Sequence, residues 1–223
     1  MRVHTDWLLT PERAAVHLPT GTAVVADLHL GYDRARTAIG EAVPGSTLDD
    51  TIAMLVVILR YPDVRRLVIA GDALENEAGI QLLDQLLGWL TNARLDWIGL
   101  VPGNHDRHLL ERAAAGRHFS IFPDGVRLGK WQVIHGDRAP STGPRVEGHL
   151  HPCVRWRSHV RAPCYLVGSS HIILPAFSPD TAGVNVLYDA RWRRYRCGVI
   201  AGERVLDFGE IRFLSKRLKT IGL

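Results

Sequence analysis

The sequence predicts an α/β fold built in layers: two β-sheets packed face to face and flanked by helices. Two observations predict it. In the first half, short β-branched runs alternate with segments of helical period. In the second half, short strands broken by Gly and Pro follow one another with no long helical pattern between them. At 223 residues, with 46% hydrophobic and 22% charged side chains, the chain can bury a core without a disulfide or metal staple. No internal repeat, low-complexity tract or Ser/Gly linker divides it, so 1–223 reads as a single domain.

Taken in order, Thr22-Ala23-Val24-Val25-Ala26 reads as a buried strand, as do Leu67-Val68-Ile69-Ala70 and Trp97-Ile98-Gly99-Leu100-Val101. Between the first two, Leu48, Ile52, Leu55, Val56 and Leu59 share one face of a helix from about Thr47 to Leu59. Ser46 is placed to cap that helix, and Asp49 and Asp50 suit its positive end. Between the second and third, Ile80, Leu83, Leu86, Leu87 and Leu90 define another helix. Strand–helix–strand–helix–strand calls for a largely parallel sheet with right-handed crossovers. Trp131–Ile134, Tyr165–Val167, His171–Leu174, Val184–Leu187 and Val199–Ile200 then supply a mixed or antiparallel second sheet.

Composition narrows the function. The content of apolar residues excludes disorder. The longest apolar run, Ile52 to Leu59, is far too short for a bilayer span. An early acid and no apolar stretch of signal length near the N-terminus point to a cytoplasmic protein that does not engage membranes. Cys153, Cys164 and Cys197 form no CxxC pair and read as packed, reduced thiols. Residues 153–223 carry 12 Lys and Arg against 5 Asp and Glu, whereas 1–152 carry 15 against 18. A basic C-terminal third suits an anionic substrate.

What ends each strand carries the chemistry. Ala26 is followed by Asp27-Leu28-His29 and Ala70 by Gly71-Asp72. Val101 is followed by Pro102-Gly103-Asn104-His105-Asp106, Ile134 by His135-Gly136-Asp137, and Arg145-Val146-Glu147 by Gly148-His149-Leu150-His151. Ligands of α/β sheets gather beyond the carboxyl ends of strands, so these five motifs should meet on one rim. Carboxylate, imidazole and one amide oxygen, with no thiolate, suit hard or borderline divalent ions such as Mn, Fe or Zn. Asp-x-His or Gly-Asp alone is an ordinary turn; five such motifs in order are not.

In this order the motifs resemble those of the calcineurin-like metallophosphoesterases. The likeness is clearest over residues 22–152 and runs more loosely through Pro163-Cys164-Tyr165, Leu174-Pro175-Ala176-Phe177 and Val184-Asn185-Val186. Asp27-Leu28-His29-Leu30-Gly31-Tyr32, Gly40 and Val43-Pro44 look most like the small intracellular branch. That branch includes the phosphoesterases encoded beside bacterial DNA ligase and helicase genes, and their archaeal relatives. The resemblance implies a double β-sandwich and a site for two divalent ions, Mn foremost. Asp27, His29 and His151 would hold one ion, Asn104, His135 and His149 the other, and Asp72 both. A carboxylate has two oxygens and can span ions about 3.5–4 Å apart. With only two anionic ligands for two dications, positive charge remains for a phosphate. His105 would serve as general acid or transition-state stabiliser in an in-line attack on phosphorus, with Asp106 fixing its tautomer.

That reading makes the protein a phosphodiesterase or nuclease acting on nucleic acid, single strands included, or on nucleotide-like substrates, in DNA repair beside ligase and helicase. A pyrophosphatase for nucleotide-linked lipids or sugars is the alternative, and a non-catalytic interaction module a more distant one. Two departures from close relatives bear on substrate choice: Ala73-Leu74-Glu75-Asn76-Glu77, where a histidine or other residues are usual, and Asp137, where His is frequent. Glu75 and Asn76 stay open between support of the ligands and a solvated loop. Tyr32, Arg34 and Arg36, on a loop after the first motif, are candidates for contact with the substrate phosphate. Arg191-Trp192-Arg193-Arg194-Tyr195-Arg196 reads as a solvated edge strand before a strand at Val199. His171 reads as a packed histidine, and the tail Lys216-Arg217-Leu218-Lys219 as a solvated terminus. His4, His17, His108, His118 and His159 have no partner pattern.

Overall fold

A computed structural model describes residues 1–42, 45, 47–61, 63–106, 119–138, 142–157 and 160–221. Its first sheet lays down seven strands in chain order: β1 (Arg2–Val3), β2 (Trp7–Leu9), β3 (Ala15–His17), β4 (Thr22–Val25), β5 (Arg66–Ala70), β6 (Trp97–Val101) and β7 (Ser120–Ile121). Pairing is antiparallel from β1 to β4 and parallel from β4 to β7. Helices α1 (Tyr32–Ala38) and α2 (Leu48–Ile58) connect β4 to β5, and α3 (Ile80–Asn92) connects β5 to β6.

The two-residue period of a strand sorts this sheet's side chains. Ala23, Val25, Leu67, Ile69, Ile98 and Leu100 pack on Leu55 and Ile58 of α2 and on Leu83, Leu86, Leu87 and Leu90 of α3. The alternate residues Val24, Ala26, Val68, Ala70 and Val101 pack against the second sheet. Ser46, expected as the cap of α2, lies outside the described residues, as do Val43 and Pro44. Thr47 caps α2 in a reciprocal box, its hydroxyl taking the Asp50 N–H and the Asp50 carboxylate taking its own.

The second sheet comprises β8 (Val126–Leu128), β9 (Trp131–Ile134), β10 (Arg145–Glu147), β11 (Pro152–Trp156), β12 (Val160–Val167), β13 (His171–Ile173), β14 (Val184–Asn185), β15 (Arg196–Ala201) and β16 (Arg204–Glu210). It is mixed: β10 runs parallel to both β9 and β13, while β12 is antiparallel to β11, β13 and β15. Trp131, Val133, Val146, Tyr165 and Ile172 face the first sheet. On the other face a C-terminal helix, Ile211–Ile221, lays Ile211 and Leu214 on Val154, Cys164, Leu166, Cys197 and Val199. Burial of those two side chains contributes roughly 1.5–3 kcal/mol each. The layers run helix, sheet, sheet, helix.

Several local expectations are corrected. Tyr32, Arg34 and Arg36 belong to α1, not a loop. Only Val184 and Asn185 of the expected Val184–Leu187 strand pair with a neighbour; Val186–Tyr188 coils into a 3₁₀ turn whose Leu187 N–H donates to the Asn185 side chain. The Arg191–Arg196 run is not an edge strand: Ala190–Trp192 is a 3₁₀ turn, Trp192 is buried, and only Arg196 enters β15. Lys216–Lys219 is part of the C-terminal helix. All three cysteines are unpaired and buried. His108, His118 and His159 lie outside the described residues. Among the described residues no helix is long and apolar enough to cross a membrane.

Candidate metal centre

The parallel strands β4, β5 and β6 of one sheet and β9 and β10 of the other end at one rim. The loops leaving β4 and β5 run side by side, with Asp27 N–H donating to the Gly71 carbonyl (3.0 Å), His29 N–H to Asp72 (2.9 Å) and Leu30 N–H to Ala73 (3.0 Å). This backbone pairing brings Asp27, His29 and Asp72 to one place. The turn after β6 is fixed by Asp106, whose two carboxylate oxygens accept the N–H groups of Gly103 (2.7 Å) and Ala73 (2.6 Å). From β10, His149 N–H donates to Asp27 Oδ2 at 2.8 Å, which seats the Gly148-His149-Leu150-His151 turn over the first motif.

The side chains converge. His29 Nε2 lies 3.4 Å from His151 Nε2, and His151 Nε2 lies 3.5 Å from Asp27 Oδ2. His135 Nε2 is 3.1 Å from Asn104 Oδ1, 3.2 Å from His149 Nδ1 and 3.4 Å from Asp72 Oδ2. Among the described residues, three groups could each hold an ion: Asp27, His29 and His151; His29, Asp72 and His105; Asp72, His135 and His149. Asp72 is common to two of them. Asp27, His29, Asp72 and His135 are buried, whereas Asn104, His105 and His149 are exposed, so the cluster has a closed floor and an open mouth.

Two observations fit this set to a cation. Asp27 is fully buried, yet its Oδ1 makes no hydrogen bond; it faces His135 Nδ1 at 3.3 Å without the alignment of one. A buried carboxylate oxygen left unpaired is costly, and a cation relieves it. Second, Asp27, His29, Asp72, His149 and His151 all adopt left-handed backbone, with φ of 58°, 47°, 41°, 64° and 45°. Each such residue costs of order 1–3 kcal/mol, and clusters of them mark functional sites. The flanking glycines serve close approach: a Cβ on Gly103 would fall on Asp72, and one on Gly148 would sit 2.5 Å from Asp27 Oδ2.

Electrostatics follow from the packing. Burial would raise Asp72, but the His135 imidazole and the His105 N–H outweigh it and hold the carboxyl down at about 2. Burial pulls His149 below its ordinary value, and neighbouring His135 adds to this. Burial opposes charge on His135 and His151 as well, yet the carboxylates of Asp72 and Asp27 raise both.

Asp106 does not orient His105. Its oxygens are committed to Gly103 and Ala73, and burial raises its pKa. Glu75 stands there instead. Its Oε2 is 2.8 Å from His29 Nδ1 and 3.8 Å from His105 Nδ1, and its carbonyl lies 3.0 Å from that same nitrogen. Of the substrate candidates, Arg36 stacks on the Tyr32 ring at 4.9 Å and pairs with Glu41 at 3.4 Å, and Arg34 is exposed on α1. Sequence reading passed over Arg13 and Arg161, which line a cavity against His151.

No protein-family model and no curated protein matches this sequence. Among solved structures, the crystal structure of Pseudomonas putida nuclease MPE aligns with a TM-score of 0.70 and 22% sequence identity, over 91% of this chain and 94% of that one. The chain shares the fold of that nuclease: two β-sheets flanked by helices.

Proposed function

We propose that the protein is a metal-dependent phosphoesterase, a phosphodiesterase or nuclease acting on nucleic acid or nucleotide-like substrates. The observation that carries this reading is the donor cluster itself: Asp27, His29 and His151 meet at one place and Asp72, His135 and His149 beside them, on a largely buried floor below an open mouth. In this reading Asp27, His29 and His151 hold one divalent ion, Asn104, His135 and His149 a second, and Asp72 both, with Mn favoured by the oxygen and imidazole donors. The P. putida nuclease, whose fold this is, supports a phosphodiester substrate. On the resemblance of its motifs, the reading extends to one domain over 1–223, a cytoplasmic setting, and DNA repair beside ligase and helicase.

Bound there, the ions supply Lewis-acid stabilisation of charge at phosphorus. The chain supplies the rest. Asp27 and Asp72 bring only two negative charges, so a phosphate is drawn to the mouth rather than repelled. His105 holds a proton at Nδ1 against the Glu75 carbonyl, which fixes its tautomer. That leaves Nε2 as the nitrogen free to serve the departing oxygen.

The test is turnover of bis-(p-nitrophenyl) phosphate, single-stranded DNA and a nucleoside diphosphate sugar by purified protein with Mn. Diester and DNA turnover that falls 10²–10⁴-fold in His105→Ala supports the reading. Absence of turnover on any of them, with several metals, refutes it. Turnover confined to the diphosphate sugar replaces it with the pyrophosphatase.

A further inference from the structure

The donor cluster borders a cavity at His151. The cavity measures about 200 Å³ and is lined by Arg13, His151, Pro152, Arg161, Pro175 and Thr181 among others. Arg13 comes from the turn between β2 and β3, and its NH1 donates to the carbonyls of Ala176 (3.2 Å), Phe177 (3.4 Å) and Ser178 (2.8 Å). Three acceptors on one nitrogen fix the plane of the guanidinium, which has five N–H donors in all. Arg161, on β12, donates from NH2 to the Thr181 carbonyl at 2.8 Å and stands at the exposed rim.

We propose that this cavity is a subsite for the phosphate next to the scissile one along a nucleic-acid strand, held by Arg13 and Arg161. The proposal rests on the phosphoesterase reading and names the substrate class: an extended strand with a phosphate on either side of the bond that is cut. Three observations carry it. The cavity shares His151 with the donor cluster, so a chain leaving the mouth on that side enters it. Two guanidiniums face the same space. Arg13 is mostly withdrawn from water and feels the like charge of Arg161, while Asp180 offsets this in part. A guanidinium with its plane already fixed binds a phosphate with two parallel bonds and loses little entropy in doing so. Part of the remaining wall is Pro152, Pro163, Pro175 and Pro179, whose rings suit the sugar and base attached to the phosphate, with Ser178 and Thr181 beside them.

The test separates the subsite from the reading beneath it. The full chain, with excess chelator so that nothing is cut, is titrated into a fluorescein-labelled single-stranded thymidine octamer, and anisotropy is read across a range of salt. Arg161→Gln, which removes one rim charge and one carbonyl bond, is expected to weaken binding about tenfold and to lower the salt slope by about one. Arg13→Lys keeps the charge without the planar fork and should weaken binding as well; melting curves establish that both variants fold. With Mn, the KM for the octamer should rise at least tenfold more than that for bis-(p-nitrophenyl) phosphate, which has a single phosphate. Octamer binding within twofold of wild type in both variants overturns the subsite, as does weakening seen with a nucleoside diphosphate sugar and not with the octamer. Wild-type protein that binds the octamer through these arginines but hydrolyses nothing refutes the enzyme and leaves the subsite standing.

Discussion

The Glu75 carboxylate lies 2.8 Å from His29 Nδ1. That contact sets the imidazole so that Nε2, the nitrogen offered to an ion, points toward His151 Nε2, 3.4 Å away. The His29 bond is in turn what keeps the Glu75 carboxyl below its ordinary value against the opposing effect of burial. Loss of such a carboxylate costs typically 10–100-fold in metal affinity. Glu75→Ala should weaken Mn binding by that factor in a calorimetric titration. Glu75→Gln, which keeps an acceptor oxygen, should recover part of it. Affinity within twofold of wild type in the alanine variant would show that Glu75 is a bystander.

Asp106 and His105 are adjacent but opposite in kind. Asp106 is fully buried and satisfies two backbone N–H groups; His105 is exposed. Stranding two buried donors costs about 2–4 kcal/mol. For a chain of this size that is a fall of about 5–15 °C in Tm for Asp106→Ala. His105→Ala should stay within about 0.5 kcal/mol of wild type while losing turnover. Thermal melts and assays on both variants decide the matter; a destabilised His105→Ala with normal activity would reverse the assignment.

Asp72 lies in two donor groups at once, one with His29 and His105 and one with His135 and His149. Replacing it with Asn removes a negative charge from both. Elemental analysis of Mn-loaded protein should fall from two ions per chain to one or none in Asp72→Asn. Two ions retained would mean that the carboxylate is not shared.

The sequence exposed what is local and periodic. The strands Thr22–Val25, Arg66–Ala70 and Trp97–Val101 announce themselves because both of their faces are buried, one against helices and one against the other sheet. The five motifs are legible because each follows a strand. Strands β1 to β3, of two or three residues each, are too short for alternation to show. The C-terminal helix carries its core contacts on Ile211 and Leu214, and the charges of Lys216–Lys219 hide that spacing. Adjacency in sequence also misled. Asp106 follows His105, yet the turn aims its oxygens back at Gly103 and across at Ala73. Glu75 reaches His29 because Leu30 and Leu74 bridge and Glu75 N–H donates to the Leu30 carbonyl at 3.1 Å. Arg13 meets Ala176 across 163 residues, a contact no local pattern announces.

Two glycines without left-handed backbone separate space from conformation. A Cβ on Gly103 would fall on the side chain and the backbone N of Asp72, whereas one on Gly88, within α3, meets nothing within 4 Å. Gly88→Ala should therefore stabilise the protein by about 0.4–1 kcal/mol, since it removes backbone freedom from the unfolded chain and improves helix propensity. Gly103→Ala has no such outlet. The methyl must displace Asp72 or the turn after β6, at a cost of about 1–3 kcal/mol, and the donor cluster opens with it. Thermal melts paired with Mn titrations of the two variants read both effects. Gly103→Ala should lose stability and metal affinity together, and Gly88→Ala should gain the first without changing the second. If Gly103→Ala bound Mn as wild type does, Asp72 would not need the approach that only a missing side chain allows, and its position between the two donor groups would lose its structural basis.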